Sequence, residues 1–184
     1  MLFVVGQDSM ALDYKAVIPL NYSTQQKGKA MLSIRKLNSG EEQALWQIFF
    51  HTVRNINIRD YSQAQVEAWA PDGYDENYWL PRIAKINPFV VVLGGEVVAY
   101  ADIQPTGYID HFFCHHQHQG KGIGKALFNH LLETAKKQNI TKLTTHASKT
   151  AKPFFEKLGF SLIKPQQVDV RGQTLENYVL EKVI

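Results

Sequence analysis

The stretch FFCHHQHQGKGIGKALFNHLLETAKK at 112–137 runs a strand pattern, a glycine-rich turn and an amphipathic helix together without a break. Gly120, Gly122 and Gly124 allow the backbone to approach a ligand without Cβ obstruction. The N–H groups of the helix's first turn have no partner inside the helix, so they can hydrogen-bond a phosphate, and Lys121 and Lys125 add positive charge. The same glycines also suit a tight strand-to-helix connection with no ligand, and spacing alone does not decide between the two. Nucleotide motifs fit poorly. A P-loop requires GxxxxGK(S/T), whereas three residues separate Gly120 from Gly124 and Ala126 stands where the magnesium-binding hydroxyl belongs. The dinucleotide fingerprint GxGxxG fails too, since Gly120-x-Gly122 leads to Lys125 and Gly122-x-Gly124 leads to Leu127.

Other reactive side chains are close by. His111, His115, His116 and His118 are metal-ligand types, but no fixed Cys/His spacing accompanies them, so no metal is expected. Cys114 has a histidine neighbour that a nucleophile would need, yet a strand cysteine beside aromatic residues reads as a small buried hydrophobe. Trp46, Trp69 and Trp79 read as core or as walls of a binding pocket. They are not stacking platforms for nucleic acid, because no basic residues interleave with them.

These residues have to be positioned by the elements around them. Leu32 and Ile34 open a strand pattern, Ser39 is placed as a helix N-cap, and Leu45, Ile48, Phe49 and Val53 recur on one face of a helix over 40–57. Ser62 starts a second helix over 61–70, and a third runs from Glu76 to Lys85. PFVVVLGGEVVAYADI reads as two strands around a Gly94-Gly95 hairpin turn, and GYIDHFFCHH supplies another strand. After the glycine turn, a helix over 122–138 precedes the strand KLTTHAS, a short helix in TAKPFFEKLG and two final strands around Gly172. Residues 1–30 show no sustained period of 2 or 3.6, so they read as an N-terminal extension of a domain covering 31–184.

Composition narrows the function classes. The chain has 184 residues, 45% hydrophobic and 20% charged, enough for one domain with a continuous core. A net charge of +3 gives no reason to expect nucleic acid as a partner. No apolar run approaches the ~20 residues that cross a bilayer, so no membrane association is expected. Nor does the start carry the basic flank and ~7–15-residue apolar core of a secretory signal. A single cysteine, Cys114, leaves no internal disulfide and fits a reducing compartment, so a cytoplasmic location is expected.

Gln119-Gly120-Lys121-Gly122-Ile123-Gly124 resembles the Q/R-x-x-G-x-G/A pyrophosphate motif of the GNAT superfamily of acyl-CoA N-acyltransferases. FFEKLGF at 154–160 is similar to that family's late F-Y-E-K-x-G-F signature, in the family's order and with one strand between. YSQAQVEAW at 61–69, ASKTAKPFFEKLGF at 147–160 and VDVRG at 168–172 resemble its YafP-like bacterial branch, so the resemblance covers about 32–184. It implies an α/β (α+β) fold with a mixed, mostly antiparallel sheet of about seven strands flanked by helices. It also implies acetyl-CoA as co-substrate and a primary amine of a small molecule or peptide as acceptor, in a monomer or homodimer. A non-catalytic acyl-CoA-binding module is the alternative.

Carried over residue by residue, the resemblance places the pantetheine arm along Ile109 to Cys114, beside Phe112, Phe113 and Cys114, and the pyrophosphate on the amides of Gln119 to Lys125, Ile123 included. Ser148 stands where many relatives have an Asn touching CoA, and it serves equally as a cap for the following helix. Asp110 is the expected base, with a pKa raised by partial burial. His111 is the alternative base, on the opposite face by strand alternation. Phe155 stands where many relatives place the Tyr that hydrogen-bonds the CoA sulfur, so either Tyr108 or Tyr178 is the replacement donor or the thiolate, being weakly basic, leaves with help from water and backbone N–H groups. Helices 40–57 and 61–70 are expected to shape the acceptor pocket, with Glu67, Asp72, Asp75 or Glu76 available to attract a cation.

Overall fold

The computed structural model describes residues 31–184; the proposed extension over 1–30 lies outside the described residues. Among the described residues, eight strands and five α-helices follow in the order β1 (Leu32–Lys36), α1 (Glu42–Asn55), α2 (Gln63–Trp69), α3 (Glu76–Ile86), β2 (Phe89–Leu93) and β3 (Glu96–Ala101). Then come β4 (Tyr108–Ile109), β5 (Phe112–Cys114), α4 (Ile123–Lys137), β6 (Lys142–Ser148), α5 (Lys152–Lys157), β7 (Ser161–Val170) and β8 (Gln173–Val183). The mixed, mostly antiparallel α/β architecture is the one expected. Ser39 is not the first cap: α1 is preceded by Glu41, whose carboxylate instead accepts from the Asn38 N–H and from Arg35. Ser62 does cap α2, in a reciprocal box with Gln65.

The strands form two four-stranded sheets, ordered β1-β2-β3-β5 and β4-β6-β8-β7. Every pairing is antiparallel except β4 with β6. The stretch expected as one strand from Ile109 to Cys114 therefore divides. Tyr108–Ile109 pairs with β6, Asp110 and His111 belong to neither strand, and Phe112–Cys114 pairs with β3 in the other sheet.

Alternation along the strands sends successive side chains to opposite layers. Val91, Ala99, Phe112 and Cys114 pack with Ile123, Leu127 and Leu131 of α4 and Phe155 of α5. Val90, Tyr100 and Phe113 pack with Leu45 and Phe49 of α1, Trp69 of α2 and Trp79 of α3. Two buried layers thus cover the two faces, and at 110–111 the chain passes directly from β4 in one sheet to β5 in the other.

Candidate active site

A buried carboxylate shapes the crossing. Asp102 Oδ1 accepts from the backbone N–H of Asp110 at 3.1 Å and of His111 at 2.6 Å, while the Asp102 N–H donates to the His111 carbonyl at 3.1 Å. Asp102 is fully buried, and burial, followed by the charge of Asp110, pushes its carboxyl up to about 8. Two successive amides held by one oxygen explain why neither residue continues a ladder.

Asp110 and His111 do not diverge as strand alternation predicts. Both meet Arg82 of α3, whose Nε donates to His111 Nε2 at 3.0 Å and whose Nη2 donates to Asp110 Oδ2 at 3.3 Å. Alternation fails because the two residues lie between strands rather than within one. A guanidinium only donates, so His111 Nε2 is unprotonated and its proton sits on Nδ1, facing Tyr100 Oη at 3.1 Å. Burial, then Arg82, holds the imidazole well below its ordinary pKa, so the ring is neutral at physiological pH. The Asp110 side chain is 11% exposed, with the Arg82 guanidinium against it.

Beyond β5 the chain tightens. His116–His118 forms a short 3-10 turn, with the His116 ring in tilted contact with His115 and with His51 of α1; among the described residues, no group of three such side chains could hold a metal ion. Gln119 Nε2 and Thr52 Oγ1 both donate to the Cys114 carbonyl, at 2.8 and 2.9 Å. The Cys114 thiol faces the His118 carbonyl at 3.5 Å, and burial pushes it up to about 11, so it is a protonated core side chain rather than a nucleophile.

Gly122, at φ +80°, precedes the first residue of α4, and a Cβ built there or on Gly120 would meet nothing within 4 Å. Open space over a helix N-terminus, flanked by exposed Lys121 and Lys125, fits a pyrophosphate. Gly124 has a different role: a Cβ there would lie 3.2 Å from the Phe154 ring, so its smallness serves packing. β5 is the edge of its sheet, and antiparallel alternation turns the amides of Phe112 and Cys114 away from β3. An extended ligand can pair there, as a peptide pairs with a sheet edge.

The remaining predicted residues spread over two faces. Ser148 Oγ accepts from the Ala151 N–H at 3.1 Å and from Asn57 Nδ2 at 3.2 Å, so it caps the turn leading into α5. Phe155 is fully buried against Phe112 and Phe160, at ring separations of 5.5 and 5.2 Å. Tyr178 packs with that same layer and donates its hydroxyl to Glu176. Tyr108 instead meets His146 edge to face; His146 alternates with Ala147 of the Phe155 layer and so belongs to the other face, and the Tyr108 hydroxyl is buried without a hydrogen-bond partner among the described residues.

A cavity of about 320 Å³ opens on the α1–α3 side of the crossing. Trp46, Phe49, Trp69, Tyr78 and Trp79 line it, with His111 and Arg82 on the side of the crossing and Arg171, from the β7–β8 turn, also in its wall. Asp72 and Asp75 line it as well, whereas Glu67 and Glu76 do not. The tryptophans are therefore both core and wall. Arg82, Asp102 and Arg171 were not singled out by the sequence reading. Arg171 sits in the VDVRG phrase, while nothing local marks a lone arginine of α3 or the aspartate that ends YAD.

A model of the acetyltransferase (GNAT) domain matches residues 57–181. The uncharacterised N-acetyltransferase YafP of Escherichia coli K12 is 32% identical over 149 residues, spanning 81% of this chain and 94% of its own. Among solved structures, a GCN5-related N-acetyltransferase from Rhodopseudomonas palustris is 25% identical, with a TM-score of 0.80 over 87% of this chain and all of that one. The PaiA N-acetyltransferase of Thermoplasma acidophilum, solved with coenzyme A, shares the fold at a TM-score of 0.67 and 17% identity, covering 84% of this chain and 99% of its own. With that domain matched over most of its length and a relative aligned over four-fifths of it, the chain belongs to the GNAT acetyltransferase family.

Proposed function

We propose that the protein moves the acetyl group of acetyl-CoA onto the primary amine of a small molecule seated in the aromatic cavity. The observation that carries this reading is the two-residue crossing at Asp110–His111. The open strand edge and glycine turn follow it directly, and His111 and Arg82 beside it line the cavity. The amides of Gln119 to Lys125 would hold the pyrophosphate and the outward amides of Phe112 and Cys114 the pantetheine arm. Acetyl-CoA supplies an activated thioester, and transfer joins the amine nitrogen to its carbonyl carbon with release of CoA.

The protein's own part is to orient the amine and take its proton. Asp110 is the base in this reading, since its carboxylate lies at the crossing and Arg82 holds its position. His111 is neutral, but its Nε2 lone pair already accepts from Arg82, which makes it a positioning group. Of the two tyrosines, Tyr178 shares the layer of Phe155, so it is the candidate donor to the departing sulfur.

Calorimetry with acetyl-CoA, followed by an amine panel assayed for free CoA, tests the proposal. Asp110→Asn should retain acetyl-CoA binding and lose ~10²–10⁴-fold in turnover. Absence of acetyl-CoA binding at millimolar ligand would sink the reading. Binding without turnover on any amine would favour the non-catalytic module instead.

A further inference from the structure

The cavity combines features that select more than an amine. Its walls are broad aromatic faces, suited to an apolar or ring-bearing body, and its volume is that of a small-molecule site. Its charges are mostly matched already. Arg82 faces Asp110 and His111, Asp72 is paired with Arg54 at 2.8 Å, and Asp75 Oδ1 caps α3 through the Tyr78 N–H at 3.2 Å. Arg171 is different: one Nη donates to the neutral Ala68 carbonyl at 2.8 Å, and among the described residues it faces no carboxylate in an ion pair. A guanidinium fork keeps further donors when one is used, and a carboxylate is the group whose geometry it matches.

We infer that the acceptor is an α-amino acid with an aromatic side chain: its ring packs among the tryptophans, its carboxylate meets Arg171, and its amine turns toward Asp110. This assignment rests on the acetyltransferase reading above and adds the substrate class to it. A zwitterion suits the site better than a phosphorylated amine, because Asp72 and Asp75 in the same wall oppose a dianion. The amine N–C bond forms while the thioester C–S bond breaks; of the two protons that the substrate's ammonium gives up, the first passes to Asp110 and on to water before attack, and the second, lost from the nitrogen once the N–C bond has formed, ends on the CoA sulfur, so that CoA leaves as the thiol.

The experiment compares L-phenylalanine and L-tryptophan with phenethylamine and tryptamine, which lack the carboxylate, and with glycine, which lacks the ring. The amino acids should exceed both control classes in kcat/KM by about 10- to 100-fold, the range expected for a charge-assisted fork and a buried ring. Arg171→Gln should remove most of the preference for phenylalanine over phenethylamine, acting through KM, and Arg171→Lys should restore part of it. Thermal unfolding of both variants checks that the turn is intact.

Equal use of phenethylamine and phenylalanine, or an unchanged preference in Arg171→Gln, would overturn the assignment. So would turnover of other amines with none on the aromatic amino acids. If no amine is acetylated, titration of L-phenylalanine into the CoA-loaded protein still decides. Binding that weakens in Arg171→Gln upholds the ligand class and removes the transferase reading, and no binding removes the ligand class as well.

Discussion

Asp102 is the residue on which the crossing depends, and its protonation gives a stability test. Its carboxyl stands at about 8 in the fold against 3.8 for an ordinary aspartate, with burial as the main cause. An acid whose pKa is raised by folding keeps its proton in the native state while the unfolded chain loses it, so stability falls as pH rises between about 4 and 8. Asp102→Asn retains an oxygen for the Asp110 and His111 amides and removes the titration. The unfolding temperature of the variant minus that of the wild type should therefore climb by several degrees from pH 4 to 8; a flat difference would refute the buried proton. His111, whose pKa is depressed, makes stability fall as pH drops below about 6.5, and it does so in both proteins, so it cancels in the difference. The chemistry at this scale was only half visible in the sequence. Asp110 and His111 stood beside a recognisable turn, but Arg82 lies 28 residues before Asp110 and Asp102 reads as the polar end of a strand. Only the tertiary fold brings the guanidinium to both side chains.

At the level of elements, two glycines of one motif separate ligand approach from packing. Gly122 combines a left-handed φ of +80° with open space above it, so Gly122→Val should cost about 1–2 kcal/mol of backbone strain and also obstruct the proposed pyrophosphate site. Gly124→Val presses on the Phe154 ring and should cost ~1–3 kcal/mol through overpacking, with cofactor affinity changed less than for Gly122→Val. Urea unfolding and acetyl-CoA calorimetry on both variants test this, and the reverse ranking in affinity would contradict it. Helix and hairpin positions were legible because their periods and punctuation are local: α4 follows Ile123, Leu127 and Leu131, and β2–β3 turn at Gly94-Gly95. The break after Ile109 was not. YIDHFFC keeps a strand-like composition throughout, and what divides it is the remote carboxylate of Asp102, which takes the two amides a ladder would have used.

For the whole molecule, the link between the two sheets at the crossing is short, which makes Gly107 a sensitive position. β4 contributes two residues in parallel pairing with β6, supported by the Thr144 N–H to the Gly107 carbonyl at 3.0 Å and by the buried Thr145 hydroxyl to the Ile109 carbonyl at 3.0 Å. Gly107 enters this link at φ +81°, and a Cβ there would lie 2.0 Å from the Lys142 carbonyl oxygen and 2.9 Å from Ile140 Cγ2. The obstacle is the backbone of the strand itself, so relief requires β4 to move away from β6. Gly107→Ala should therefore combine left-handed strain with overpacking, for a loss of about 2–5 kcal/mol in urea unfolding. Gly122→Ala, where a Cβ meets nothing, should show only the strain, about 1–2 kcal/mol. A similar cost for both would mean that the sheets yield easily at their junction. If instead Gly107→Ala is much the worse and also weakens acetyl-CoA binding, the placing of the free β5 edge is set by how firmly β4 ties one sheet to the other, so cofactor binding depends on the joined sheets rather than on the glycine turn alone.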